Sequence, residues 1–394
     1  MKKGKMTVPG KSEKALRQMR AIALCLAAVV PGMARTAMAQ TDAQVRINQI
    51  QVIGTHNSYH AGFGPSATKL WKKMNPRAYA ALNYRHPKLA VQLNAGVRQI
   101  EIDVFADPKG GMYAHPYGKT LIAQAGLPAD PPFDPHHVME KPGFKVLHVQ
   151  DVDYRSNCEP FTECLKEVRR WSHQHPRHLP VFILVETKEH KLKHVGFPTV
   201  TPLPFTTDVL NNLDRAILSV FPRREIITPD DVRGSYATLN EAVKADNWPT
   251  LAKARGKVVF LLDQKSVGPA YLAGHPSLRG RVLFTNATPG QPDAAFIEQN
   301  SASASQINAL VKQGYLIRTR TDEPGKQAPA DDTSRRDEVL SSGAQILSTD
   351  YPASEKAASG YEVELPGNEA ARCNPVLKPK GCISSDLPGT RSAH

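Results

Sequence analysis

The sequence predicts an α/β fold in which eight strands and their connecting helices close into a (β/α)8 TIM-like barrel. Eight short apolar segments have the length of buried strands, and helical patterns lie between several of them. Strands that alternate with helices predict a parallel sheet, and eight strands predict closure into a barrel. A doubly wound open sheet is the alternative. The predicted strands are 50–55, 97–105, 144–149, 181–186, 257–262, 281–285, 315–319 and 345–349.

Four segments between these strands carry apolar residues at helical spacing, and two of them are followed by Gly314 and Gly343, a residue type that commonly ends helices. The four apolar faces lie within 161–171, 210–221, 307–311 and 339–340. Residues 106–143 are rich in Pro, Gly and His and have no helical period. We therefore expect a long loop after the second strand, above the catalytic face of the barrel.

The first 39 residues have the features of a secretory signal peptide. A Lys/Arg-rich start precedes an apolar run from Ala21 to Val30, and Ala37-Met38-Ala39 supplies a small-x-small cleavage site. The apolar run is shorter than the roughly 20 residues that a membrane-spanning helix needs. We expect cleavage after Ala39 and a mature protein that is secreted or periplasmic.

The mature chain is expected to consist of a barrel over 40–352 and a Pro/Gly-rich C-terminal tail over 353–394. Cys25 lies in the signal, which leaves four cysteines and three possible pairings in an oxidising compartment. Proximity in sequence favours two short disulfides, of which the second closes the tail. The expected pairs are Cys158–Cys164 and Cys373–Cys382.

The net charge of the mature chain is modest. The whole chain carries +13, but residues 1–39 hold eight Lys/Arg and one acid, Glu13, so that +7 leaves with the signal and +6 remains. This balance suits a surface that approaches anionic lipid, and it does not resemble a nucleic-acid-binding footprint.

Two acidic residues share one face of the second predicted strand. Alternation places Ile100, Ile102 and Val104 on one side and Glu101 and Asp103 on the other, which in a barrel is the inner side. Burying paired anions is costly unless a cation compensates, and a hard divalent cation is the natural partner of carboxylates. The alternative is an amphipathic strand with its acids in water.

Other polar residues follow the first, third and fourth predicted strands. His56 and Asn57 come after strand one, His148 after strand three, and Glu186 with Lys188 after strand four. A histidine at such a place is more often structural than catalytic. However, the carboxyl ends of parallel strands meet on the face where barrel enzymes build their active sites. We therefore expect these residues to converge.

Four segments in this order resemble the bacterial calcium-dependent phosphatidylinositol-specific phospholipases C, within the phospholipase C-like phosphodiesterase barrels. They are THNSYH at 55–60, EID at 101–103, VLH at 146–148 and ILVETK at 183–188. Each motif alone is weak, whereas the ordered set is specific. The resemblance implies that His56 and His148 are the acid/base pair. It also implies four calcium ligands, which are Asn57, Glu101, Asp103 and Glu186.

The resemblance further implies cleavage of membrane phosphatidylinositol to diacylglycerol and an inositol (cyclic) phosphate, by a peripheral, monomeric enzyme that does not bind nucleic acid. His56 would be the base for the inositol 2-hydroxyl and His148 the acid for the leaving oxygen, with His115 as a rival acid. The expected residues of the head-group pocket are Lys188, Asp263, Lys265 and Arg318. Because Asp263 is acidic, we expect an unphosphorylated inositol ring to be preferred.

Several features remain open from the sequence alone. Arg318, Arg320 and Asp350 could equally form structural ion pairs. The segment from Asp151 to Arg155 starts like a calcium loop but lacks the EF-hand pattern, and the histidines at 173–178 fall at a helix end, where solvent exposure is the simpler interpretation. Related barrels that act on glycerophosphodiesters or sphingomyelin are the second enzyme hypothesis. An exported, calcium-stabilised binding protein is the non-enzyme hypothesis.

Overall fold

Eight parallel strands pair in a ring in the computed structural model, which describes residues 1, 4 and 40–387. The strands in the described chain are β1 (Ile50–Thr55), β2 (Gln99–Asp107), β3 (Gly143–Lys145), β4 (Val181–Thr187), β5 (Ile226–Ile227), β6 (Val258–Leu262), β7 (Leu283–Thr285), β8 (Phe296–Glu298), β9 (Leu316–Arg320), β10 (Ile346–Thr349) and β11 (Ala371–Cys373). Around the ring the order is β1, β2, β4, β6, β7, β8, β9, β10 and back to β1. A single bridge between Asn286 and Phe296 joins β7 to β8.

Helices connect most of these strands and cover the outside of the ring. They are α1 (Pro65–Met74), α2 (Pro76–Leu82), α3 (Leu89–Asn94), α4 (Tyr117–Gln124), α5 (Phe161–Gln174), α6 (Thr207–Val220), α7 (Pro229–Arg233), α8 (Leu239–Lys244), α9 (Leu251–Ala254), α10 (Gly268–Leu272), α11 (Ala304–Lys312) and α12 (Ser334–Ser341). The four helices predicted from apolar spacing correspond to α5, α6, α11 and α12. Because helices cover the outer face, every residue of β2 is buried. Among the described residues, none of the helices combines the length and apolar composition required to cross a membrane.

The barrel prediction is confirmed, but one of its strands was wrongly assigned. Seven of the eight predicted strands belong to the ring, whereas only Gly143–Lys145 of the segment 144–149 pairs, and it pairs antiparallel with the end of β2. The chain cannot continue as a strand because the backbone N–H groups of His148 and Val149 both donate to the carbonyl of Asp153, which closes a turn. The missing ring strand is β8, whose three residues were too short to be recognised.

The long loop predicted over 106–143 was also wrong in part. β2 extends to Asp107, and α4 lies inside the segment. The start of α4 is held by Asp151, whose side chain accepts from the backbone N–H of Tyr117 at 2.8 Å and whose carbonyl accepts from that of Gly118 at 2.8 Å. Since these caps come from a residue more than 30 positions away, no local period in the sequence could have indicated the helix.

Residues 353–387 pack against the barrel. β11 pairs antiparallel with β1, and the side chains of Tyr361, Val363 and Leu365 are buried in the main core. Both expected disulfides, Cys158–Cys164 and Cys373–Cys382, are formed. The predicted signal peptide, with Cys25 and the cleavage site after Ala39, lies outside the described residues.

Candidate active site

Three carboxylates converge at the carboxyl ends of β2 and β4. Glu101 and Asp103 lie on the inner side of β2, and the register of the parallel pair places Asp103 beside Glu186 of β4. One side-chain oxygen from each of the three lies within 4.8 Å of the others. The alternation along the second predicted strand therefore assigned both acids to the correct side, and both are buried.

Lys188 lies between two of these acids. Its Nζ is 3.0 Å from Asp103 Oδ2 and 2.9 Å from Glu186 Oε1. Burial and then the charge of Glu186 raise the pKa of Asp103 well above its usual value. Burial opposes ionisation of Glu186 too, but Lys188 outweighs it and lowers the pKa of Glu186 to about 2. Because Asp103 and Glu186 lie so close together, the positive charge of Lys188 is needed to offset the repulsion between them.

Glu101 has its own cation. Arg318, on β9, places Nη2 2.5 Å from Glu101 Oε2 and Nη1 3.1 Å from Glu298 Oε1. Burial raises the pKa of Glu101 to about 7, although Arg318 opposes this rise. Arg318 is itself buried, and its hydrogen bonds also reach Asn300 and Ser348. These contacts favour the structural ion-pair alternative for Arg318 over direct contact with a substrate.

His56 faces the same cluster with a defined tautomer. Its Nδ1 lies 2.7 Å from Asp350 Oδ1, so this nitrogen donates to the aspartate and Nε2 is left as the acceptor. Nε2 is 3.6 Å from Glu101 Oε1 and 3.4 Å from Arg320 Nη1. Burial, and next the charge of Arg320, lower the pKa of His56 well below its usual value. His56 is therefore an uncharged acceptor near neutral pH.

His148 lies in the turn after β3 and is held by Asp153. Its Nδ1 is 2.9 Å from Asp153 Oδ2, and the same oxygen is 2.7 Å from Nε2 of His60. Burial lowers the pKa of His148, opposed by the hydrogen bond to Asp153. Burial would lower the pKa of His60 as well, but the charge of Asp153 outweighs it and the pKa is raised. One buried carboxylate thus orients two histidines.

Asn57 lies at the start of the segment that follows β1, in the left-handed backbone region at φ 47°. Its Nδ2 donates to the hydroxyl of Tyr84 at 2.6 Å, and its Oδ1 accepts from Tyr59 at 3.5 Å. Burial and then Asp103 raise the pKa of Tyr59, which places this tyrosine next to the acidic cluster. Asn57 and Asp103 therefore both interact with Tyr59.

The remaining predicted residues lie farther out. His115 is exposed in the turn before α4, away from the buried cluster. Asp263 follows β6, and its pKa is raised by burial and then by a hydrogen bond with Glu298. Lys265 is exposed and lines a polar cavity of about 400 Å³ together with Glu298 and Asn300. Asp263 and Lys265 therefore flank one side of the barrel mouth.

Two contributors to this site, Asp153 and His60, were missed by the sequence analysis. Asp153 was considered only as part of a failed EF-hand loop, and His60 stood in the quoted motif without a role. The available signal was an acid five residues after His148. The prediction that the histidines at 173–178 are exposed was wrong for His178, which is buried and contacts Ser172 Oγ at 2.7 Å. The end of α5 packs against the start of β4 there, so solvent does not reach the ring.

The acidic cluster fits a calcium ion. Apart from the ion pair with Lys188, neither carboxylate oxygen of Asp103 has a hydrogen-bond partner within the described chain, although both are buried. Buried carboxylates with free lone pairs suit a hard cation, which binds oxygen ligands. The donors at this point are carboxylate oxygens, with the Asn57 amide nearby and no thiol or imidazole among the three acids.

Comparison with known proteins agrees with this geometry. No curated protein matches the sequence. A solved structure of a calcium-dependent phosphoinositol-specific phospholipase C from Pseudomonas sp., in its apo form and myoinositol complex, is 17% identical over 84% of this chain and 96% of that one, with a TM-score of 0.51. A second crystal form of the apo protein gives 15% identity, 84% and 95% coverage and a TM-score of 0.51. These structures share the barrel fold.

The enzyme from Streptomyces antibioticus, a Ca²⁺-dependent phosphatidylinositol-specific phospholipase C, is 17% identical over 78% of this chain and 95% of that one, with a TM-score of 0.48. The sequence model described as phosphoinositide phospholipase C, Ca²⁺-dependent, matches residues 45–375. Since this match covers most of the sequence, the chain belongs to the family of Ca²⁺-dependent phosphoinositide phospholipases C, which are phosphodiesterases.

Proposed function

We propose that this protein is an exported enzyme that cleaves membrane phosphatidylinositol to diacylglycerol and an inositol (cyclic) phosphate. One observation carries the proposal: the buried His56 and the half-buried His148, each bonded through Nδ1 to an aspartate, flank a cluster of three carboxylates. A base, an acid and a cation site are the three elements that transfer of a phosphodiester to a neighbouring hydroxyl needs. The signal-like start of the sequence and the two disulfides support export, and we expect a monomer.

The proposed ligands of the calcium ion are Asn57, Glu101, Asp103 and Glu186. When bound there, calcium would lower the pKa of the inositol 2-hydroxyl and offset negative charge on the phosphate. The buried carboxylate of Asp103, which has more lone pairs than its contact with Lys188 uses, supports this assignment most directly. Lys188, bonded to Asp103 and Glu186, would keep these two acids ionised and would reach the substrate phosphate from the same position.

His56 is the proposed general base. Its Nδ1–H is held by Asp350, so Nε2 is free to take the proton of the 2-hydroxyl. Its lowered pKa keeps it uncharged before the reaction, and the imidazolium that forms would then be stabilised by Asp350. As this proton leaves, the 2-oxygen forms its bond to phosphorus.

His148 is the proposed general acid. The bond from phosphorus to the glycerol oxygen breaks as the new bond forms, and the departing diacylglycerol oxygen takes a proton from His148 Nε2. Burial lowers the pKa of His148, and Asp153 opposes this effect, because the hydrogen bond that it accepts fixes Nδ1 as the other protonated nitrogen and favours the charged ring. The contact of the half-buried His148 with Asp153 favours it over the exposed His115 as the acid.

The head group is proposed to extend toward Asp263 and Lys265. Glu298 lies beside Asp263 and lines the polar cavity with Lys265, so this side of the mouth carries two acids for one lysine. Carboxyl groups accept hydrogen bonds from ring hydroxyls, whereas they would repel additional ring phosphates. Unphosphorylated phosphatidylinositol should therefore be cleaved in preference to its bisphosphate.

Purified protein assayed on a panel of lipids in mixed micelles tests the proposal. We expect calcium-dependent release of a cyclic inositol phosphate from phosphatidylinositol, detected by ³¹P NMR, with lower kcat/KM on the bisphosphate and no cleavage of sphingomyelin or glycerophosphodiesters. Asp103→Asn should need a much higher calcium concentration for half-maximal rate, with an unchanged circular dichroism spectrum. Full turnover in excess chelator would exclude the calcium role. Cleavage of sphingomyelin or a glycerophosphodiester alone would establish the other barrel activity instead.

A further inference from the structure

The helical hairpin that follows the catalytic histidine of β1 has an unusual charge distribution. Residues 61–100 contain no aspartate or glutamate. They contain seven Lys/Arg, of which six are exposed and only Arg98 is buried. The six exposed cations, which we call the hairpin cations, are Lys69, Lys72, Lys73, Arg77, Arg85 and Lys88.

The pairing of the hairpin cations sets them apart from other charged groups of the described chain. Across residues 40–387 none of the six forms an ion pair, although acidic residues elsewhere in the described chain are widely paired. Their concentration contrasts with a mature chain whose net charge is only +6. A concentrated, unpaired positive surface on a modestly charged protein creates a local field that attracts anions.

The two helices carry four of these cations, Lys69, Lys72, Lys73 and Arg77, all of them exposed. α1 buries Ala67, Leu70 and Trp71 against α4 and the turn that contains Val152, so that its lysines lie on the opposite side. α2 has no buried residue at all. Between the two helices Met74 is 50% exposed, which places one large apolar side chain among the cations. Exposed cations with an apolar tip are typical of surfaces that bind at a lipid interface.

The hairpin is also connected to the active site. Tyr84, which follows α2, accepts a hydrogen bond from Asn57, and Nε2 of His86 lies 2.9 Å from the carbonyl oxygen of His56. A cavity of about 1070 Å³ separates α2 from the segment 351–359, and Asp350 is part of its lining. Of the hairpin cations, Arg85 lines this cavity, which leads to the aspartate of the proposed base.

We propose that this hairpin docks the enzyme on the surface of an anionic lipid bilayer. The inference rests on the proposed function, since a lipid substrate has to be reached at a membrane, and it adds the surface that makes the contact. Each cation near an anionic leaflet strengthens binding roughly fivefold. Salt should weaken the attraction because the cations are exposed to solvent.

The test is sedimentation of the protein with vesicles of phosphatidylcholine, with or without phosphatidylglycerol. Phosphatidylglycerol is anionic but lacks inositol, so binding is measured independently of cleavage. The variant Lys72→Gln/Lys73→Gln/Arg77→Gln should bind phosphatidylglycerol vesicles about a hundredfold more weakly than wild type. It should keep the wild-type rate on a monomeric, short-chain phosphatidylinositol, because none of the three residues contacts the proposed catalytic groups.

A matched control removes three exposed cations from the opposite end of the barrel: Arg170→Gln/Lys253→Gln/Lys312→Gln. These residues lie in α5, α9 and α11, before the amino ends of β4, β6 and β9, and are also free of ion pairs in the described chain. The control should bind vesicles like wild type. If both triple variants lost vesicle binding equally, the effect would depend on net charge alone and the proposal would be overturned. Wild-type binding by the hairpin variant would also overturn it.

Two further outcomes are decisive. Binding of wild type to a DNA duplex as tightly as to the anionic vesicles would show a general polyanion surface and would overturn the assignment to lipid. The wild-type protein could also bind the vesicles but fail to cleave phosphatidylinositol. If the hairpin variant alone then lost vesicle binding, the docking surface would be upheld and the proposed function rejected.

Discussion

Histidines lie at both ends of the barrel, but their hydrogen-bond partners differ. At the carboxyl end, His56 and His148 each bond through Nδ1 to an aspartate. At the amino end, before β4, His178 bonds to the hydroxyl of Ser172 and to the carbonyl oxygen of Leu179 at 2.5 Å. No carboxylate offsets its burial, and the pKa of His178 falls to about 4.

Burial lowers the pKa of His56, His148 and His178 alike, so the two ends differ in the group that could balance a proton taken up during a reaction. A buried imidazole beside a carboxylate can accept a proton because the resulting charge is balanced. A buried imidazole between a hydroxyl and a carbonyl group is satisfied only in its neutral form. Burial alone therefore does not indicate an acid/base role for a histidine, since a bonded carboxylate is also needed to balance its charge.

The largest expected effect is loss of turnover at the carboxyl end. His56→Ala and His148→Ala should each lower kcat by at least about 10²-fold, the scale for losing a positioned acid or base. Steady-state assays on phosphatidylinositol measure this. Near-normal turnover in His148→Ala together with loss in His115→Ala would transfer the acid role to the exposed histidine and break the comparison.

A smaller effect is expected from the carboxylate behind the acid. Asp153→Asn should lower kcat by roughly 10 to 10². Because the hydrogen bond that Asp153 accepts from His148 raises the pKa of this histidine, its loss should also move the alkaline limb of the pH–rate profile to lower pH. A uniform decrease in kcat with an unmoved limb would mean that Asp153 serves only the fold.

His60 offers a finer version of this test. His60→Gln can still donate a hydrogen bond to Asp153 Oδ2 and should keep most activity, whereas His60→Leu should lose several-fold in kcat, since the bond is worth roughly 1–2 kcal/mol. The two variants are compared by measuring kcat and its dependence on pH. Equal losses would show that volume at this buried position matters more than the hydrogen bond.

Part of the candidate site could be predicted from the sequence because it depends on local pattern. Glu101, Asp103 and Glu186 were placed correctly because strand alternation assigns each residue to a side, and parallel strands end at one face of the barrel. His56 follows β1 directly and benefits from the same rule. These predictions needed only local periodicity and the topology of the fold.

The rest depended on contacts between distant segments. His148 was expected at a strand end but lies in a turn whose backbone bonds to Asp153 replace strand pairing. His60 reaches Asp153 across 93 positions of sequence, and α4 begins on a cap supplied by Asp151. β8 pairs over only three residues, which is too short for a pattern to emerge. Local rules contain no information about such partners.

The smallest effect on turnover is expected at His178, which should instead affect stability. In the unfolded chain its pKa is near 6.5, and in the folded protein it is about 4, so between these values the unfolded state binds more protons. Stability is therefore lost as pH falls through this window, by about 2 kcal/mol between pH 7 and pH 5. His178→Asn should keep the wild-type kcat, and its unfolding free energy in urea should fall by about 2 kcal/mol less over the same interval. Comparing the two pH differences cancels both the constant cost of the substitution and the titration of other groups. Identical pH dependence in the two proteins would show that His178 is able to take up a proton while folded, and the distinction between the two ends of the barrel would then fail.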